Sequence, residues 1–172
     1  MQDILTCAMG LDVHRDIIVA CLVKGAVDAE PEAETRTFST LIPEMQKLRD
    51  WVIESECRNI AMESTGIYWQ PIYEMLESCF DGEISILVVN ARHMKNVPGR
   101  KTDMKDAQWI ATLLRAGLLK GSFIPDKAFR ELRHLTRYRK SVVHDITAQK
   151  NRIDKFLQSS GFRFTAFLSD TF

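Results

Sequence analysis

Residues 5–14, Leu-Thr-Cys-Ala-Met-Gly-Leu-Asp-Val-His, form an almost unbroken apolar run with one carboxylate, Asp12, near its end. A run this short and this apolar reads as a buried strand. An acid inside it is costly unless it is paired or holds a metal. Residues 16–23 are rich in β-branched and apolar side chains and follow after a tight His14-Arg15 connection. Two strands this close in sequence form an antiparallel hairpin. The chain therefore starts as a sheet with an acid set into its first strand.

The elements that follow determine what kind of sheet it is. Residues 25–34 are small and acidic and read as a turn or loop, and Thr35 to Phe38 as a short third strand. Ser39 or Thr40 can cap a helix running to about Glu54, with Leu41, Met45, Leu48, Trp51 and Val52 on one face. Asn59 to Met62 is a short strand, with Glu63 at its carboxyl end. A helix follows from about Ile67 to Cys79, with Pro71 near its first turn, where proline is tolerated. Ile84 to Val89 is another strand, and Asn90 to Gly99 is a basic loop carrying Arg92 and Lys95. A third helix begins near Thr102 and runs through Trp109, Ile110, Leu113 and Leu114 to about Ala116, where Gly117 stops it. The order β-β-β-α-β-α-β-α predicts a mixed α/β domain with helices on both faces of the sheet. Crossover connections make the later strands parallel to the first, so sites form at the carboxyl ends of the strands.

The pattern changes after Asp126. Leu132, Leu135, Val142, Ile146, Ile153 and Phe156 recur at alternating spacings of three and four, with Arg139 and Gln149 filling the remaining seam positions. Arg130, Arg133, Arg137, Lys140, Lys150, Arg152 and Lys155 line the flanks. A two-stranded coil or an arm on a partner suits this pattern, as does a single helix folded back on the core. The helix ends at Ser159-Ser160-Gly161, and an apolar-rich tail runs to Phe172.

Bulk properties narrow the function. Residues 1–83 carry 16 Asp/Glu and 6 Lys/Arg, and residues 84–172 carry 7 and 17, so a net charge of zero hides a basic half. That half suits a nucleic-acid surface, although two solvated faces of opposite sign would give the same count. No apolar run reaches the ~18 residues of a membrane span, and the amino terminus lacks the layout of a secretory signal. Cys7, Cys21, Cys57 and Cys79 are widely spaced without a C-x-x-C, and His14, His93, His134 and His144 lack metal-ligand spacing. Reduced thiols in a cytoplasmic protein are expected.

Two further acids, Asp103 and Asp106, share one face at the start of the third helix, beside Arg100, Lys101 and Lys105. By themselves they could be no more than complements to the helix dipole. Asp12 and Glu63 change this, because they lie at strand ends that lead to the same place. Four acids brought close together cannot all stay ionised without cations. Magnesium or manganese, with oxygen ligands, would satisfy them, and such ions stabilise the entering and leaving oxygens of a phosphoryl displacement. The basic side chains would hold a nucleic-acid backbone alongside.

The motifs Gly10-Leu11-Asp12-Val13-His14, Met62-Glu63-Ser64-Thr65-Gly66-Ile67-Tyr68-Trp69, Val89-Asn90-Ala91-Arg92-His93 and Gly99-Arg100-Lys101-Thr102-Asp103-Met104-Lys105-Asp106-Ala107 closely resemble those of the DEDD transposases. These are the insertion-sequence one-ten type, related to the Piv DNA invertase. The resemblance implies a ribonuclease H-like (RuvC-like) catalytic domain over residues 1–120. Asp12, Glu63, Asp103 and Asp106 would be its catalytic, metal-binding acids. It also implies a helical coiled-coil region over residues 126–159 that assembles a homo-oligomer, with a dimer expected. Implied partners are DNA and a structured bridge RNA that directs recombination. Arg92, Lys95, Arg100, Lys101, Lys105, Arg133, Arg137 and Lys140 are the candidate nucleic-acid contacts.

Family members continue into a domain bearing a nucleophilic serine, and residues 160–172 read as the start of that segment. Ser159, Ser160 and Ser169 fall too early to be the nucleophile. A chain of this extent is thus expected to bind metal and nucleic acid without completing recombination. A stand-alone RuvC-like structure-specific nuclease and a non-catalytic RNA-binding dimerisation fragment are the competing readings. An actin-like ATPase would need a glycine-rich turn after the first acid, and Asp12-Val13-His14-Arg15-Asp16 has none.

Among the other notable residues, Tyr68 and Trp69 suit the core better than base stacking, and Trp109 is expected in the core. His14 could orient Asp12 or merely end the strand. The Ser64-Thr65-Gly66 turn could cap a helix or contact a phosphate.

Overall fold

The computed structural model describes residues 4–64, 66–80, 82–90 and 106–163. Its elements are β1 (Cys7–Val13), β2 (Ile17–Lys24), β3 (Glu32–Ser39), α1 (Ile42–Glu54), β4 (Asn59–Glu63), α2 (Trp69–Phe80), β5 (Ser85–Val89), α3 (Asp106–Arg115) and α4 (Lys127–Ser159). The five strands lie in the order β3-β2-β1-β4-β5. β1, β2 and β3 are antiparallel neighbours, while β4 pairs parallel to β1, and β5 parallel to β4. This is the mixed sheet expected from the sequence, followed by the expected long helix. The chain divides into two compact units, residues 1–123 and 124–172.

The first unit is a three-layer structure, and its register shows which residues share a face. Gly10 pairs with Cys21, and Cys21 clusters with Ala107 and Ala111 of α3. Ala8, two residues before Gly10, clusters with Ala61, Ile110 and Leu114. One face of the sheet is therefore covered by α3. On the other face Val13 pairs with Ile18 and Ile18 with Phe38, and the Phe38 ring lies 6.0 Å from that of Trp51 in α1. Met45, Leu48, Trp51 and Val52 bury the inner side of α1. With both faces covered, Met9, Leu11, Ile60 and Met62 are fully buried, as apolar residues in a central parallel pair should be.

α3 runs antiparallel to β1. Its first turn lies against Gly10, its middle against Ala8, and its last residue against the start of the strand. There the buried Arg115 donates from Nε to the Leu5 carbonyl at 2.8 Å and from Nη2 to the Gly25 carbonyl at 3.0 Å and to that of Ala26. Gly117 ends the helix with φ of 67°. The Gly117 N–H donates to the Leu114 carbonyl (2.9 Å) and the Leu118 N–H to that of Leu113 (3.0 Å), the paired bonds of a Schellman cap.

Four local expectations need correction. β3 begins at Glu32, not Thr35, because Glu32, Ala33 and Glu34 pair with Lys24, Val23 and Leu22 of β2. The charge that suggested a loop belongs to an exposed edge strand, where charged side chains discourage further pairing. α1 has no side-chain cap from Ser39 or Thr40; it starts after Leu41, with Pro43 in its first turn. Leu41 is exposed, outside the buried face assigned to it. Tyr68 is likewise exposed, whereas Trp69 packs edge-on against Tyr73 with centroids 5.8 Å apart. Trp109 is in the core as expected.

The second unit is built on α4. Asp126 caps it, its side chain accepting a hydrogen bond from the Phe129 N–H at 3.0 Å. Gly161, with φ of 86°, closes the helix with a second Schellman pair through Leu157 and Gln158. Leu132, Leu135, Val142, Ile146, Ile153 and Phe156 are all exposed along it. No helix among the described residues is long and apolar enough to cross a membrane.

Candidate active site

The parallel pairing of β1 and β4 aligns Leu11 with Met62. The next residue in each strand is therefore Asp12 beside Glu63, their Cα atoms about 5 Å apart across the ladder. Residues that share a register position project to the same face. For these two it is the face of Gly10 and Ala61, which is the face under α3. Both are partly buried at the carboxyl end of the sheet, and the Asp12 side chain is only 15% exposed.

Gly10 brings the start of α3 toward them. A Cβ at position 10 would collide with the Ala107 carbonyl oxygen and the Ala111 nitrogen. Without one, the backbone of α3 rests directly on β1. Ala107 lies over Gly10, two residues short of Asp12 on the same face. Asp106, the first residue of the helix, therefore stands at the Asp12 and Glu63 end. The amino-terminal end of α3 also brings the positive end of its dipole to these carboxylates.

Asp12 has a further neighbour. His14 Nε2 lies 3.1 Å from Asp12 Oδ2, with the imidazole 55% exposed. The turn that carries His14 is braced: the His14 N–H donates to the Ile17 carbonyl (2.9 Å), Thr40 Oγ1 donates to the Arg15 carbonyl (2.9 Å), and the Thr40 N–H donates to the Asp16 carbonyl (3.2 Å). Thr40 thus holds the β1–β2 turn instead of capping α1. Sequence spacing alone could not separate these roles, because Thr40 and Arg15 lie 25 residues apart.

Of the predicted site residues, the fold brings Asp12, Glu63 and Asp106 to one end of the sheet. Asp103 and the candidate contacts Arg92, Lys95, Arg100, Lys101 and Lys105 lie outside the described residues. Arg133, Arg137 and Lys140 lie on α4, exposed at spacings of four and three that form one stripe. Among the described residues, no three His, Cys, Asp or Glu side chains are grouped as a metal cage. The donor set itself is all carboxylate, the chemistry suited to a hard divalent cation. β4 ends at Glu63, yet pairing continues one step, the Ser64 N–H donating to the Val89 carbonyl at 2.9 Å. Gly66 follows with φ of 59°.

A mixed sheet with acids at the carboxyl ends of its central parallel strands, beside a helix amino terminus, defines a candidate centre for phosphoryl transfer on nucleic acid. Residues 9–161 match the family model for DEDD transposases of the IS110 type, described as "Transposase". The chain belongs to that family of DNA-acting phosphoryl-transfer enzymes. No curated protein matches it. Among solved structures it is similar to Thermus thermophilus RuvC, with 12% identity over 67% of this chain and 99% of RuvC and a TM-score of 0.47. It is also similar to T. thermophilus RuvC in complex with a Holliday junction substrate, with 11% identity over 69% of this chain and 100% of that one and a TM-score of 0.46.

Proposed function

We propose that Asp12, Glu63, Asp103 and Asp106 form the metal-dependent catalytic site of a recombinase that moves an insertion sequence under the direction of a bridge RNA. The observation that carries this reading is the placement of Asp12 beside Glu63, with Asp106 delivered to them by the contact of α3 on Gly10. These carboxylates would hold magnesium or manganese, which supplies charge stabilisation at the entering and leaving oxygens of a phosphodiester. The chain's own residues do the positioning. β1 and β4 set the spacing of two acids, α3 sets the third, and His14 bonds the outer oxygen of Asp12. Arg92, Lys95, Arg100, Lys101 and Lys105, which precede or enter the third helix in sequence, would take the phosphate backbone.

α4 carries a second part of the reading. Its exposed apolar seam and its basic stripe of Arg133, Arg137 and Lys140 support pairing with a second copy of the chain and binding of the guide RNA. The cytoplasm is the place of action.

Calorimetric titration with magnesium and manganese tests the site. Wild-type protein should bind, and Asp12→Ala and Asp106→Ala should each bind far more weakly. Equal binding by all three would end the metal-site reading. A second reading, RNA binding and dimerisation without cleavage, is favoured by the exposed basic stripe. RNA binding abolished when Arg133, Arg137 and Lys140 become Glu, with no metal-dependent cleavage in wild type, would support it instead.

A further inference from the structure

The opposite end of the sheet holds a pair of cysteines that the DNA chemistry does not use. Cys7 opens β1 and is partly exposed. Cys57 lies just before β4 and is 1% exposed. β1 and β4 are parallel neighbours, so the two cysteines lie at the same end of adjacent strands. Adjacent strands hold the two in place: Asn59 Nδ2 donates to the Cys7 carbonyl at 3.4 Å, and Cys57 Sγ donates to the Asn59 carbonyl at 3.3 Å. Glu56, with φ of 53°, turns the chain from α1 back toward β1. Lys24 sits directly across the β1–β2 ladder from Cys7. A cavity of about 360 Å³ opens beside Cys57, lined by Val52, Ile53, Glu56, Phe80 and Ile84.

We propose that Cys7 and Cys57 are a modification site for small hydroperoxides, with Cys7 as the attacking thiol and Cys57 as the resolving one. Two thiols on adjacent strands bridged by Asn59, one reachable and beside a cation, the other buried next to a cavity, have the layout of a redox-sensing pair. The neighbouring Cys57 thiol, assisted by the charges of Lys24 and Arg115, brings the Cys7 thiol down to about 7 against the opposing effect of burial. Cys57 is pushed up by the neighbouring Cys7 thiol and by its burial, so it stays protonated while Cys7 reacts.

The chemistry balances in two steps. The Cys7 thiolate attacks one oxygen of the hydroperoxide, the O–O bond breaks, and the other oxygen leaves as an alcohol or water with a proton from solvent. Cys7 becomes a sulfenic acid. The Cys57 sulfur then attacks the Cys7 sulfur, the S–O bond breaks, and water leaves with the thiol proton. One hydroperoxide is reduced and one disulfide is formed. Transient bonds of this kind are the form in which disulfides occur in a reducing compartment. The pair stands about 16 Å along β1 from Asp12, so the carboxylates need not take part.

The test uses the full chain treated with dilute hydrogen peroxide, then digested without reductant and mapped by mass spectrometry. The expected product is a peptide joining Cys7 to Cys57, lighter by two hydrogens and separated again by dithiothreitol. Cys57→Ser should leave a sulfenic acid at Cys7 that is trapped by dimedone. Oxidation confined to the exposed Cys79, or passage of Cys7 to sulfinic acid with Cys57 still reduced, would overturn the proposal. The wild-type peptide map decides the matter even if Cys57→Ser folds poorly.

Discussion

The carbonyl oxygen of Ala107 occupies the space that a Cβ at position 10 would need. Glycine at position 10 is thus what lets α3 lie on β1, and that contact brings the start of α3, with Asp106, toward the end of the sheet that carries Asp12. Gly10→Ala should separate the helix from the strand. Overpacking of this kind costs about 1–3 kcal/mol, and here the neighbour is backbone, so about 3 kcal/mol is expected. Thermal unfolding should show a midpoint lower by roughly 6–12 °C for a chain of this size. Magnesium affinity should fall with it, since the third acid moves away from the other two.

Asp12→Asn and Glu63→Gln keep size and hydrogen bonding while removing charge. Neither should unfold the domain, as both positions are partly exposed at the sheet's end. Wild-type protein in magnesium at 100 times its dissociation constant should gain about 2.7 kcal/mol of stability. Both variants should lose most of that gain and with it metal-dependent strand cleavage or joining. A full metal-induced rise in melting temperature in either variant would remove that residue from the site.

Arg115 joins the end of α3 to the Leu5, Gly25 and Ala26 carbonyls. Arg115→Met keeps the stem but leaves those partly buried carbonyls without their charged donor. The expected loss is about 3–5 kcal/mol, because hydrogen bonds from a charged donor contribute about 1.5–3 kcal/mol each and are not additive. Urea denaturation should show a lower midpoint with an unchanged slope. A shift under 1 kcal/mol (on the order of a typical surface substitution) would show that water replaces the guanidinium.

The seam of α4 predicts association. Val142→Glu with Ile146→Glu puts charge at two adjacent seam positions, which a coiled coil does not tolerate. Sedimentation should change from dimer to monomer, with a loss of helical circular dichroism from the arm. Unchanged sedimentation would place the dimer contact elsewhere.

The thiol pair gives a pH dependence. The thiolate is the reactive form, so alkylation of Cys7 by iodoacetamide should rise with pH through a midpoint at about 7. Removing a cation disfavours the thiolate, so Lys24→Gln should move that midpoint upward. A midpoint at the ordinary cysteine value in wild-type protein would show that Cys57 does not hold the thiolate.

The sequence by itself determined the order of elements, the parallel and antiparallel sense of the strands, and several ends. Gly117 and Gly161 stop their helices because each takes a positive φ there. Apolar periodicity located the core of α1 at Met45, Leu48, Trp51 and Val52. These are local properties, set within one or two turns of chain. Tertiary structure decided what depends on pairing between distant segments. β3 extends to Glu32 because β2 offers it partners, and Thr40 holds Arg15 and Asp16 instead of a helix. The placement of Asp12 beside Glu63 is a matter of register between strands about 50 residues apart, and the approach of α3 to that end depends on a missing side chain at Gly10. Cys7 and Cys57 come to one end of the sheet through the same strand pairing. Periodicity shows which residues face inward, but which of them touch depends on how packed layers close over one another.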